Sequence, residues 1–313
     1  MKGTVYKSTG SWYSVKDEQG NFHECRIKGK FRIKGIKSTN PVAVGDRVEF
    51  QLETHGDETV GIIKAIDDRD NYIIRKSVNL SKQTHIIAAN IDQVFLIITL
   101  RNPRTYTVFI DRFLATSEAY DIPAILLFNK VDIYEEDEYE EVAELAAIYG
   151  EIGYQVNFIS AKTGKGVKAV KEMMVGKTSM FAGNSGVGKS TLVNYISPVT
   201  NIKTTEISQQ HLQGQHTTTF AEMYDLEFDA RIIDTPGIKG FGIVDMDPDE
   251  IGDYFPEIFR LKGDCKFNNC LHVDEPKCAV KQGLEEGLVS ESRYNSYLQM
   301  VTGDDDIYRM GPS

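Results

Sequence analysis

Eight residues, Gly183 to Ser190, constrain this chain more than any other stretch. They read GNSGVGKS and fit the phosphate-loop pattern G-x-x-x-x-G-K-[ST] at every position. Glycines at 183, 186 and 188 let the backbone curl so that successive N–H groups point at phosphate oxygens. Lys189 adds a mobile positive charge for the outer phosphates, and Ser190 offers a hydroxyl to magnesium. The flanks fit a strand–loop–helix unit. TSMFA (Thr178 to Ala182) is a short apolar run of buried-strand type, and TLVNYI (Thr191 to Ile196) is apolar at helical spacing. The helix N-terminus favours an anion, so the phosphate-contacting set is Gly183, Asn184, Ser185, Gly186, Val187, Gly188, Lys189, Ser190 and Thr191.

From about residue 91 apolar runs of strand length alternate with helical segments. DQVFLIITL, PAILLFNK, YQVNFIS and TSMFAG are the strands. Val108–Tyr120, an acidic segment near 135–149 and Gly166–Met174 are the helices, and AEMYDLEF and ARIIDTPG add two more strands. That order predicts an α/β domain with a parallel sheet over 91–244. Three further motifs stand at predicted strand ends, where open α/β sheets bind ligands. In NKVD (Asn129, Lys130, Val131, Asp132) a carboxylate at 132 can accept from both N–H groups on guanine's edge, a donor pair that adenine lacks. Asn129 would reach the imidazole side, and the Lys130 stem would cover the ring. SAK (Ser160, Ala161, Lys162) would supply a backbone N–H to the guanine oxygen, and DTPG places Asp234 near magnesium and the Gly237 N–H near the terminal phosphate. Each short motif is weak alone; jointly they are strong.

Their order is unusual. NKVD and SAK precede the phosphate loop instead of following DTPG, which reads as the same sheet cut at another loop. Between the phosphate loop and DTPG lies GQHTTT (Gly214 to Thr219), a polar segment that reads as a switch loop, with Thr218 the favoured contact to magnesium. Residue 238 is Ile, where Ras-type enzymes place a water-orienting glutamine; His216 is the nearest candidate in sequence for that task. Slow hydrolysis without a partner follows.

Residues 1–68 read as a small five-stranded barrel of the OB type, with short alternating runs separated by glycine and polar turns. VGDRVEF (Val44 to Phe50) would help close it. Within it, RIKGKFRIKGIK places Arg26, Lys28, Lys30, Arg32, Lys34 and Lys37 among apolar residues with no acid between them. Strand alternation would give a basic face able to follow an RNA backbone. The overall charge of −11 argues against such a partner, but much of the acidity is concentrated in Tyr134–Glu144. Cys25 reads as a core residue. Residues 69–90 read as a linker, with Arg69, Arg75, Lys76 and Lys82 either solvated or in contact with a partner.

Cys265, Cys270, His272 and Cys278 give C-x4-C-x-H-x5-C, a closed ligand set for one structural zinc. Residues 245–313 are thus predicted to be a mostly α zinc-binding segment with little core of its own, a helix from about Lys281 to Met300, and a disordered tail. The longest apolar run, Val94 to Leu100, is far short of a membrane span, and MKGTVYKSTG lacks a secretion signal's apolar core. These features predict a cytoplasmic protein without membrane contact, and a monomer, since nothing suggests a dimer surface.

In this order and with this zinc spacing, the motifs resemble the RsgA family of circularly permuted, ribosome-associated GTPases along nearly the whole chain. The family usually reads GRHTTT where this chain has Gln215. The resemblance implies GTP/GDP binding with magnesium, association with the small (30S) ribosomal subunit and its rRNA, and subunit-stimulated GTP hydrolysis in late maturation. The competing reading is a passive RNA-binding or scaffold protein with a regulatory nucleotide site.

Overall fold

The computed structural model describes residues 1–27, 41–56, 58–76, 84–198, 221–234 and 246–303. Outside them lie Lys28–Lys37 of the basic stretch, Lys82, the GQHTTT segment with His216 and Thr218, Gly237, Ile238 and the tail from 304. The chain divides into two compact units, Met1–Phe95 with Ala161–Ala182 and Gly188–Lys239, and Leu96–Ser160 with Gly183–Val187 and Gly240–Ser313.

The first unit opens with the barrel. Strands β1 (Lys2–Ser8), β2 (Tyr13–Asp17), β3 (Phe22–Ile27), β4 (Arg47–His55) and β5 (Glu58–Ile66) run in the order β1-β2-β3-β5-β4, and β4 returns to β1 to close the ring. Alternation directs Val5, Tyr13, Val15, Cys25, Val48, Phe50 and Ile63 inward, and Arg26, beside buried Cys25, outward. Burial pushes the Cys25 thiol up to about 12, as expected of an inert core cysteine. Gly61 is required beside it, since a Cβ there would stand 2.3 Å from the sulfur.

The stretch expected as a linker carries its own paired strands, β6 (Tyr72–Lys76) and β7 (Thr84–Ala89), antiparallel, with Ile73, Ile86 and Ala88 buried. Arg69 is a structural residue. Its Nε and Nη2 reach the two oxygens of buried Asp46 at 2.6 and 2.7 Å, and Nη2 also donates to the Pro41 carbonyl. Asp46 accepts from the Ala43 N–H as well. Fixed on every side, Arg69 is neither solvated nor available to a partner.

The rest of this unit is sheet and helix. β11 (Thr178–Ala182) pairs parallel with β13 (Ala230–Asp234), and β13 pairs with β12 (Glu222–Leu226). The expected parallel sheet has one antiparallel strand, β12, because only Glu227–Asp229 join it to β13. Helices α3 (Val167–Met174) and α4 (Lys189–Ile196) belong here too. β8 (Gln93–Ile98) is buried at every position, as a strand covered on both faces must be. It begins in this unit, where Gln93 donates to Ser179 of β11, and ends in the other.

In the second unit, β9 (Ala124–Phe128) pairs parallel with β10 (Gln155–Phe158), and the Asn129 N–H after β9 donates to Ile98 of β8. Helix α1 (Thr107–Ala119) follows β8, and α2 (Glu136–Ile152) follows β9. The acidity of α2 has a local cause. Glu135 and Glu138 form a capping box, and acids in the first turn oppose the helix dipole.

The C-terminal part has more core than its sequence suggested. Ile251, Phe255, Ile258, Val280, Val289, Tyr294, Tyr297 and Met300 pack with Cys278 and with Ala115 of α1. The single helix expected over 281–300 is two, α6 (Ala279–Glu285) and α7 (Glu291–Thr302), after the short α5 (Pro256–Lys262). Gly287 turns at φ +76°, and the Ser290 hydroxyl then caps α7 by accepting from the Arg293 N–H.

A buried ionic cluster fastens these helices. Arg293 of α7 donates to Glu257 of α5 at 2.7 and 3.1 Å and to Asp111 of α1 at 3.0 Å, and Tyr149 of α2 donates to the same Asp111 oxygen at 2.7 Å. The guanidinium also lies 4.4 Å from the centre of the Phe255 ring. Burial raises the Asp111 carboxyl above its ordinary value and Arg293 opposes the rise. Arg293→Met strands two buried carboxylates, so we expect a loss of about 3–5 kcal/mol by urea unfolding. A loss within about 0.5 kcal/mol, the range of an ordinary surface change, would show that the cluster does not hold the helices. None of the described helices is long and apolar enough to cross a membrane.

Candidate nucleotide and metal sites

The phosphate loop follows β11 directly. Gly183 has φ +144°, and a Cβ there would stand 2.8 Å from the Ile97 carbonyl, so only glycine fits. Gly186 and Gly188 also have positive φ, and Gly188 is the N-cap of α4. Val187 is buried and anchors the loop, Asn184 is half-buried, and Ser185 and Gly186 face solvent. Lys189 and Ser190 form the first turn of α4, both half-buried, with Thr191 exposed behind them. Burial holds the Lys189 ammonium below its ordinary value, while the Asp234 carboxylate at the end of β13 pulls the other way. A strong anion would reverse the effect of that desolvation.

The NKVD motif is tied to the loop by hydrogen bonds. Asn129, buried, donates from Nδ2 to the Val187 carbonyl at 2.7 Å. Lys130 takes a left-handed backbone, φ +68°, and its Nζ donates to the carbonyls of Gly186, at 2.8 Å, and Asn102. The buried Ser160 hydroxyl donates to Asp132 Oδ1 at 2.6 Å and fixes the carboxylate, which is exposed. Val131 is buried, and its N–H donates to Ile159.

Three supporting residues carry no motif and escaped sequence reasoning. Tyr134 donates to the Asn129 carbonyl at 2.6 Å and accepts from the Leu100 N–H, Tyr139 donates to the Val131 carbonyl, and Asn102 receives Lys130. The motif backbone is thereby held on both sides. Asn129, Lys130, Val131, Asp132, Ser160 and Gly183–Val187 all belong to the second unit. Buried Ala161, exposed Lys162, Gly188–Thr191 and Asp234 belong to the first.

Cys265, Cys270, His272 and Cys278 do converge, with their ligand atoms all within 4.8 Å of one another. Cys265 Sγ lies 3.9 Å from Cys278 Sγ, and His272 Nδ1 lies 3.5 and 3.3 Å from these two sulfurs. A tetrahedral zinc with metal–sulfur bonds of about 2.3 Å requires sulfur–sulfur edges of about 3.8 Å, so the donor set fits. Burial pushes the Cys270 thiol up to about 12, a penalty that a divalent cation would remove. The surrounding turn is held by Glu275, which accepts from the Leu271 and Val273 N–H groups, and by Tyr294 and Tyr297 of α7, which donate to the carbonyls of His272 and Leu271.

A family model described as RsgA N-terminal domain matches residues 2–63, and one described as RsgA GTPase matches residues 66–244. The chain belongs to the RsgA GTPase family. A relative from Christiangramia forsetii named small ribosomal subunit biogenesis GTPase RsgA is 68% identical over 310 residues, covering 99% of this chain and 98% of the relative. A Flavobacterium johnsoniae protein of the same name is 65% identical, covering 99% and 95%. Among solved structures, YjeQ from Thermotoga maritima matches with a TM-score of 0.77 at 36% identity, over 96% of this chain and 97% of that one. YloQ, described as a circularly permuted GTPase, matches at 0.74 and 31%, over 100% and 96%. The RsgA family thus accounts for the N-terminal domain and for the motif order of the GTPase stretch.

Proposed function

We propose that this chain binds GTP through its phosphate loop and NKVD motif and hydrolyses it on the small ribosomal subunit during the subunit's late maturation. Asn129 bonded to Val187 is the observation that carries the reading, because it joins a base-recognition motif to a phosphate loop that lies 58 positions later. Asp132, fixed by Ser160, accepts from guanine; Lys130 is held by the loop it steadies; the loop N–H groups and Lys189 take the phosphates. Ser190 and Asp234 are the hard oxygen donors that would hold magnesium, which supplies charge neutralisation on the β- and γ-phosphates when bound. Thr218 would sense the terminal phosphate, with Gly237 beside it, and His216 would orient water.

The barrel and the zinc segment would grip the particle, with zinc in a folding role and the protein acting as a single cytoplasmic copy. The relatives' name, small ribosomal subunit biogenesis GTPase, supports the choice of particle. Phosphate release measured with purified small and large subunits tests the proposal. We expect acceleration by small subunits only, and its absence in Lys189→Ala. If Lys189→Ala lost phosphate release yet supported subunit maturation in cells, the scaffold reading would replace this one. Ser160→Ala should weaken GDP binding about tenfold by freeing the Asp132 carboxylate, measured by fluorescent-nucleotide titration; unchanged affinity would mean that Asp132 needs no such support.

A further inference from the structure

The barrel's first strand is hydrogen-bonded into the sheet that ends at Asp234. Lys7 of β1 pairs with Glu222 of β12, and Glu222 pairs with Asp234 of β13, so one cross-strand row runs from the barrel to the DTPG carboxylate. Lys7 Nζ stands 3.2 Å from Glu222. Three register positions along, Asp225 takes a hydrogen bond of 2.6 Å from the Tyr6 hydroxyl and an ion pair from Lys16, and its own β13 partner is Arg231. Tyr6 is buried, and its ring meets Phe22 edge-on at 5.2 Å. The exposed lysine pairs contribute little by themselves. Buried Tyr6, with its hydroxyl on Asp225, is the anchor.

We propose that Tyr6, Lys16 and Asp225 are positioning residues for the hydrolytic reaction: they latch the barrel to β12 and thereby transmit the barrel's engagement with RNA to Asp234. This rests on the proposed function above. The route is short because β12 has one neighbour on each side, the barrel strand and the strand that carries Asp234. A load on the barrel therefore reaches Asp234 through backbone hydrogen bonds rather than through a chain of loosely packed side chains. The latch acts only when the barrel is engaged, so breaking it should lower the subunit's acceleration of hydrolysis without altering how the free protein holds nucleotide.

The test uses the full chain as Asp225→Ala and Tyr6→Phe, with phosphate release measured with and without small subunits and fluorescent GTP-analogue affinity measured on the free protein. We expect the intrinsic rate and the nucleotide affinity to stay within about twofold, and the subunit-stimulated rate to fall about fivefold or more, the usual scale of allosteric coupling. A disulfide between cysteines placed at Lys7 and Glu222, which are direct partners across the two strands, should restore stimulation in the Asp225→Ala background. Full stimulation in Asp225→Ala, or equal losses in the intrinsic and the stimulated rate, would overturn the latch. Absence of stimulation in the unmodified protein would instead overturn the proposed function.

Discussion

Asp132→Asn will move the protein's preference from guanosine to xanthosine nucleotides. In the proposed nucleotide site the carboxylate would accept from two N–H groups on the base, and a hydrogen bond to a charged group contributes about 1.5–3 kcal/mol. Asparagine keeps one acceptor but turns its amide N–H against guanine's amino group, so losing one charged bond weakens GDP binding about 10- to 10²-fold or more. Xanthine carries an oxygen where guanine has its amino group, so the asparagine amide can donate where the carboxylate could only accept. The geometry makes the change local. Ser160 still has an amide oxygen to donate to, and Asn129 and Lys130 keep their bonds to Val187 and Gly186. Competition between GDP, XDP and ADP for a fluorescent nucleotide reads the result. Weakened GDP binding with no gain for XDP would mean that Asp132 holds the loop and not the base.

Stripping the metal, or replacing Cys278 with serine, should unfold the C-terminal part while leaving the barrel intact. Structural zinc supplies about 10–16 kcal/mol in isolated metal peptides, and here the same residues are also core. Cys278 is buried among Ile258, Val280 and Tyr294, and Tyr294 and Tyr297 hold the ligand turn by its backbone carbonyls. The loss spreads from the ion into α7 and so to the Arg293 cluster on α1. We expect one zinc per chain by elemental analysis, loss of the tyrosine near-UV signal on chelation, and a fall in Tm of about 10 °C or more, the scale of several kcal/mol. Chelated protein that keeps both its near-UV signal and its Tm would show that the surrounding core suffices.

What could be read in the sequence was whatever a local chemical pattern dictates. Glycines spaced around Lys189, a carboxylate three residues after Asn129 and four ligands within fourteen positions are visible without a fold. The pairing that joins Lys7 to Glu222 was not, because strands 215 positions apart share no motif, and hydrogen bonds between backbones leave no residue signature. Arg69 looked like a surface charge because its partner, Asp46, lies 23 positions away. The break at Gly287 was hidden by apolar spacing that continues across it, although a glycine followed by a capping serine is a stop-and-start signal. The C-terminal core was underestimated since Ala115, far upstream, completes it.

Under the proposed function, the nucleotide held by this permuted set of strand ends decides whether the protein stays on its particle. Co-sedimentation with purified small and large ribosomal subunits, under GDP and under a non-hydrolysable GTP analogue, tests it most directly. We expect tight association with the small subunit alone, under the analogue, and release under GDP. Equal pelleting under both nucleotides, or preference for the large subunit, would contradict it.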